Sequence, residues 1–342
     1  MQIVYSNTHK AHFGQSELVD GAFQPSFECP ERAEIILSTL RDNALGKVIS
    51  PKDFGLAPIV SVHQPSYVDF IRGAWNRWTS EGNSFDMLPL VTPGRSRVNG
   101  REPTALAAQH GWFSTDMLTP ITNGSWDAAY QSAQVALTAQ KLVSNGDRAA
   151  YALCRPPGHH AGSAYSGGFC YLNNAAIVAE ALRALGANRI TILDVDYHHG
   201  NGTQDIFYER PDVQFVSLHA DPSWEFPFYL GFADEKGAGP GEGYNLNYPL
   251  PRGVDWTAWS EPFEAACNAI DGYGPDFLVL SLGVDTFGGD PLSSFRLVSD
   301  DFKKIGERLK RLRRPTIFIQ EGGYAVGDIG KNVFNVLSAF EG

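Results

Sequence analysis

Short apolar runs rich in β-branched residues alternate along the chain with segments whose apolar positions recur at helical spacing. The runs Gln2–Tyr5, Ile59–Val62, Ala149–Cys154, Ile190–Val195, Val213–Leu218, Phe277–Leu282 and Thr316–Ile319 read as strands. The segments Glu31–Arg41, Tyr67–Arg77, Trp126–Val143, Asn174–Leu185, Trp256–Tyr273, Asp301–Leu312 and Ile329–Phe340 read as helices. Pro30 suits a helix start, Asp300 an N-cap and Gly186 a stop after Leu185. Unbroken Val/Ile/Leu runs belong to strands buried on both faces. Interleaved with helices, they predict an α/β fold: a central, mainly parallel sheet with helices on both sides.

No repeat, low-complexity tract or linker divides the chain. The segment from about Ser80 to Thr122 differs from the rest in lacking clear periodicity. A stretch that long without elements is usually functional or an interface. Leaving Trp112, Phe113, Met117 and Leu118 in water is costly. The segment is therefore expected to shape a site or join subunits.

The formal net charge of −11 speaks against general nucleic-acid binding, which needs clustered Lys and Arg. It suits a cationic substrate, though only weakly. Cys29, Cys154, Cys170 and Cys267 fit no zinc-finger or redox spacing. Cys154 and Cys170 read as buried free thiols. The N-terminus has no signal-peptide pattern, and no apolar run approaches the ~20 residues of a membrane span. A cytoplasmic location is expected, with no membrane partner.

Polar residues gather just beyond four of the predicted strands. His159-His160 follow Ala149–Cys154, and Asp194, Asp196 and His198 end or follow Ile190–Val195. Asp285 follows Phe277–Leu282, and Tyr324 follows Thr316–Ile319. Open parallel sheets form their sites beyond the carboxyl ends of strands. Asp196, His198 and Asp285 make an O/N/O set that suits Zn²⁺ or Fe²⁺ with a position left for water. Each histidine of the adjacent pair needs a partner on its far nitrogen. Asp194 is the natural partner for one and Asn201 for the other. Tyr324, on Gly322-Gly323, could donate to an oxyanion beside a metal.

Together the motifs Arg155-Pro-Pro-Gly-His-His-Ala161, Gly167-Gly-Phe-Cys-Tyr-Leu-Asn-Asn174, Asp194-Val-Asp-Tyr-His-His-Gly-Asn-Gly-Thr203, Ser217-Leu-His219, Ser281-Leu-Gly-Val-Asp285 and Glu321-Gly-Gly-Tyr324 resemble the histone deacetylase and acetylpolyamine amidohydrolase superfamily. Gly283-Val-Asp-Thr-Phe287 and Phe226-Pro227 favour the acetylpolyamine branch. The resemblance implies one arginase-deacetylase-like domain over residues 1–342, a three-layer sandwich around a sheet of about eight strands, with an insertion at about 80–122. It implies Zn²⁺ on Asp196, His198 and Asp285, with Fe²⁺ as the substitute. His160 would be the general base and acid, His159 on Asp194 chiefly electrostatic, and Tyr324 the carbonyl polariser. Structural K⁺ would sit on Asp194, Ser217 and the Leu218 carbonyl. A second K⁺ would lie on carbonyls of Phe207, Arg210, Val213 and Tyr244. Gly168, Phe169, Phe226 and Phe287 would line the substrate tunnel, with Glu17 and Asp116 as candidates for the distal ammonium. The substrate would be a small acetylated amine, such as acetylputrescine, acetylcadaverine or acetylspermidine, and the insertion would build a homodimer. Asn201 departs from the Asp of class I histone deacetylases, so the two histidines should differ in basicity. A protein acetyl-lysine deacetylase is the alternative. A ureohydrolase would need more carboxylates, and a non-catalytic acyl-binding protein should lack a ligand or the tyrosine.

Overall fold

The computed structural model describes residues 1–15, 17–19, 22–92 and 100–342. In chain order the strands are β1 (Gln2–Val4), β2 (Glu17–Val19), β3 (Ala22–Gln24), β4 (Lys47–Ile49), β5 (Ala149–Ala152), β6 (Ile190–Asp194), β7 (Val213–Ala220), β8 (Asn245–Leu250), β9 (Phe277–Leu282) and β10 (Thr316–Gln320). The helices are α1 (Pro30–Asp42), α2 (Ala57–Val60), α3 (Pro65–Ser80), α4 (Leu106–Trp112), α5 (Ser125–Ser144), α6 (Asn174–Ala184), α7 (Asn201–Phe207), α8 (Trp256–Tyr273), α9 (Asp301–Arg311) and α10 (Val326–Glu341).

Eight strands form one sheet in the order β4-β1-β5-β10-β9-β6-β7-β8, and every pairing among them is parallel. The antiparallel pair β2-β3 stands apart. The chain leaves β5 for β6 without pairing them. Only later do β9 and β10 fill the space between.

The unbroken apolar runs are explained by cores on both faces. In β6, Ile190 and Ile192 pack toward α5 and α6, while Leu193 turns to the other face. In β10, Ile317 and Ile319 share the first core, and Phe318 joins α8, α9 and α10 in the second. A third apolar cluster, built from Tyr67, Phe70, Leu106 and Phe113, ties α3 and α4 to α5.

Ile59–Val62 is not a strand. Ala57–Val60 is one helical turn, with Pro58 in its first positions, where a missing N–H costs nothing. Ile59 is buried and Val60 is 40% exposed, the one-sided burial of a helix on a surface. The segment 80–122 contains helix α4 and a bridge between Met87 and Ile121, and residues 93–99 lie outside the described residues. Of the four apolar residues named above, Phe113 is buried and Met117 is 49% exposed.

Candidate active site

The four adjacent central strands β5, β10, β9 and β6 deliver the polar residues from their C-terminal ends, the place where such sheets open a crevice. Asp196, His198 and Asp285 bring one ligand atom each to within 4.8 Å of one another. His198 Nδ1 lies 3.3 Å from Asp285 Oδ2 and 3.5 Å from Asp196 Oδ1. Backbone amides orient both carboxylates: Tyr197 N donates to Asp285 Oδ1 at 2.8 Å, His198 N to Asp196 Oδ1 at 2.9 Å, and Gly322 N to Asp196 Oδ2 at 2.8 Å. Asp285 Oδ2 is buried and has no hydrogen-bond partner.

Burial, with the charge of Asp196 behind it, pushes the Asp285 carboxyl up to about 7. Burial alone would lower His198, but Asp196 and Asp285 outweigh it and lift the imidazole to about 10. Two buried carboxylates and an imidazole crowded in this way could hold a metal ion. Glycines let the backbone close around it. A Cβ at Gly283 would sit 1.9 Å from Asp196 Oδ2, and one at Gly322 would sit 2.4 Å from Asp285 Oδ2. The orphaned oxygen and the O/N/O donors fit a zinc or iron ion.

The adjacent histidines occupy different electrostatic environments. His159 Nδ1 meets Asp194 Oδ2 at 2.9 Å, whereas His160 Nδ1 meets the neutral amide oxygen of Asn201 at 2.7 Å. Burial disfavours charge on both. For His159 the carboxylates of Asp196 and Asp194 outweigh burial and raise it to about 10. For His160 burial is reinforced by His159 and His198, and its basicity falls well below the usual range. Glu321 Oε2 accepts from Gly158 N at 2.7 Å and His159 N at 3.2 Å, fixing the turn that carries the pair.

Tyr324 is held from both sides. Its amide donates to Asp290 Oδ2 at 2.6 Å. Arg32 donates from Nε to Gly323 O at 2.6 Å and from Nη2 to Glu321 O at 2.7 Å, and its guanidinium lies 4.6 Å from the Tyr324 ring centre. Burial raises the phenol well above its ordinary value, so it stays a donor. Arg32 and Arg155 are both paired with the buried Glu28 at 2.9 Å. The sequence left Arg32, Glu28, Asp290 and the role of Glu321 unread. Only Glu321 carried a signal, as the unassigned acid of the Glu-Gly-Gly-Tyr motif.

A cavity of about 460 Å³ joins His160, His198 and Tyr324 to Gly168, Phe169 and Phe226, and also reaches Leu118, Glu17, Glu225 and Arg252. Phe287, expected in the tunnel wall, and Asp116, a candidate for the distal ammonium, are not among the residues that line this cavity. Phe287 packs against the apolar core beside α8 and α9. Asp116 lines a neighbouring pocket, and its Oδ2 accepts from Gly168 N at 2.6 Å. Glu17 accepts from Phe27 N at 2.9 Å. Asp194 and Ser217 are register partners on β6 and β7, with Ser217 Oγ 2.8 Å from His219 Nδ1 and Leu218 fully buried. Of the second carbonyl set, Phe207 O accepts from Arg210 N and Tyr244 O from Phe215 N.

Residues 26–340 match the histone deacetylase domain family, and the chain belongs to that family of amide-cleaving hydrolases. Within it, the chain is similar over its whole length to acetylpolyamine amidohydrolases. It is 57% identical to acetylpolyamine amidohydrolase 1 of Pseudomonas aeruginosa, over 100% of this chain and 99% of the relative. It is 43% identical to the acetylpolyamine amidohydrolase of Mycoplana ramosa, over 100% of both chains. The crystal structure of acetylpolyamine aminohydrolase from Burkholderia pseudomallei superposes with a TM-score of 0.94 at 39% identity, covering 99% of this chain and 98% of that one. Among the described residues no helix is long and apolar enough to cross a membrane.

Proposed function

We propose that the protein is a zinc-dependent deacetylase of small acetylated polyamines, releasing acetate and the free amine. The observation that carries this reading is the joining of the three metal-ligand side chains, the unequal histidine pair and Tyr324 in one region around a single cavity. The polyamine class is supported by the similarity to acetylpolyamine amidohydrolases over the whole chain.

Asp196, His198 and Asp285 would hold the zinc. When bound, zinc polarises a water molecule and the amide carbonyl. His160 takes the proton of the attacking water on Nε2, because its Nδ1 is committed to Asn201. Tyr324 donates its hydroxyl hydrogen bond to the oxyanion. His160 then returns the proton to the departing amine. His159, with its Nδ1 2.9 Å from Asp194 Oδ2, acts chiefly electrostatically beside the reaction. Asp194, Ser217 and the Leu218 carbonyl would hold a structural potassium ion. The enzyme would work in the cytoplasm as a homodimer joined through residues 80–122.

The deciding experiment compares kcat/KM for acetylputrescine, acetylcadaverine, acetylspermidine and an acetyl-lysine peptide on zinc-loaded enzyme. The reading expects a clear preference for the free amines. A preference for the peptide would instead identify a protein deacetylase.

A further inference from the structure

The wall of the catalytic cavity at Gly168-Phe169 has an unusual backbone. Both residues are left-handed, with φ of +52° and +68°. For Phe169 that region is disfavoured, and it persists only when neighbours over-determine it. The turn closes on itself through paired bonds between Gly167 and Cys170, with Gly167 N to Cys170 O at 3.1 Å and the reverse at 2.8 Å. That closure leaves the amides of residues 168 and 169 pointing out of the turn.

Both amides are taken up by the segment that lacked sequence periodicity. Gly168 N donates to Asp116 Oδ2 at 2.6 Å, and Phe169 N donates to Thr119 Oγ1 at 3.0 Å. The two acceptors are themselves locked. Asp116 Oδ1 accepts from Leu118 N at 2.8 Å and from Thr119 Oγ1 at 3.2 Å. Thr115 N reaches back to Ser166 O at 3.0 Å. On its other side the turn presses on the base, since a Cβ at Gly168 would lie 2.2 Å from His160 Cδ2. Phe169 meets the ring of Tyr324 at 5.7 Å between centroids.

We infer that Asp116 and Thr119 are positioning residues, which clamp the Gly168-Phe169 turn so that it fixes the His160 imidazole and the tunnel wall. This rests on the deacetylase reading and assigns Asp116 a task other than ammonium recognition. Both Asp116 oxygens are spent on protein donors, and the residue lies outside the lining of the catalytic cavity.

The test uses zinc-loaded Asp116→Asn, Asp116→Ala, Thr119→Val and Thr119→Ser, with acetylputrescine and the uncharged N-butylacetamide as a pair. Expected is a fall in kcat of about tenfold or more for Asp116→Ala and Thr119→Val, equal for both amides, with KM little changed. Such a loss follows from sub-ångström misplacement of a reacting group. Thr119→Ser keeps the acceptor and should retain activity. The Asp116→Ala/Thr119→Val double variant should fall little further than either alone, since both release one turn. Independently of turnover, hydrogen exchange in the peptide 166–171 should accelerate in both non-rescuing variants. A rise in KM confined to acetylputrescine would make Asp116 an ammonium site and overturn the clamp. Lower Tm with kcat unchanged on both amides would also overturn it. Should the parent enzyme cleave neither amide, the deacetylase reading fails, and the exchange rates alone judge the clamp.

Discussion

The side-chain oxygen of Asn201 accepts from Nδ1 of His160 at 2.7 Å, which places the proton of the neutral imidazole on Nδ1 and leaves Nε2 a free base. Burial, His159 and His198 hold that base uncharged well below the usual histidine range. Asn201→Asp would set a carboxylate against the ring and favour imidazolium, by about 1–3 pKa units. The base is active when neutral, so raising its pKa moves the acid limb of the kcat/KM–pH profile to higher pH. A profile that stays in place would separate Asn201 from the basicity of His160.

Tyr324 is a buried, permanently protonated donor whose backbone is fixed by Arg32 and Asp290. On the proposed mechanism, Tyr324→Phe removes one oxyanion donor and should lower kcat by roughly 10²–10³-fold. Zinc content, read by elemental analysis, should be unchanged, because the phenol is not among the three candidate ligand side chains.

Without metal, the Asp285 carboxyl is lifted to about 7, above the ~3.9 of an unfolded aspartate. The folded state therefore keeps a proton that the unfolded state releases. The resulting loss of stability begins as pH rises past about 4 and is complete above about 7. Metal-free Asp285→Asn lacks this penalty. Its melting temperature should fall less steeply than that of the metal-free parent as pH rises from about 4 to about 6. Adding zinc should raise the melting temperature of the parent more than that of Asp285→Asn, because binding to the native state stabilises most the chain that keeps all three candidate ligands. Thermal melts of chelated and zinc-loaded protein across pH read both signs.

Gly322 leaves no room for a side chain, with Asp285 Oδ2 and Asp196 Oδ2 at 2.4 and 2.6 Å from the place of its Cβ. Gly322→Ala should cost most of the bound zinc and at least about tenfold in turnover, in line with losses on disturbing the surroundings of metal ligands. Gly327→Ala, where no atom lies within 4 Å, serves as the control and should bind zinc like the parent.

The sheet was legible because its central strands are buried on both faces and so read as unbroken apolar runs, as in Ile190–Asp194 and Phe277–Leu282. Edge strands carry less of that signal. In β8, Asn245, Asn247 and Pro249 interrupt the pattern, and the strand is recognisable only from its pairing with β7. Asp196, His198, Asp285 and the histidine pair were legible because each lies within a few residues of a strand end. Arg32 was not, since it comes from helix α1, and its reach to Gly323 spans 291 positions of sequence. Asp116 was visible as an acid, but a buried carboxylate that serves backbone amides looks the same in sequence as one that awaits a ligand.

The late insertion of β9 and β10 between β5 and β6 has a consequence for biosynthesis. Until Asp285 and Tyr324 have left the ribosome, His159 and Asp196 follow strands β5 and β6 with nothing between the two strands. The nascent chain then offers two sheet halves with open inner edges and an incomplete set of ligands. The three candidate ligands and Tyr324 are therefore brought together only once β9 and β10 have both been made, and a chain cut short before β9 would be a sheet with its middle missing rather than a weaker enzyme.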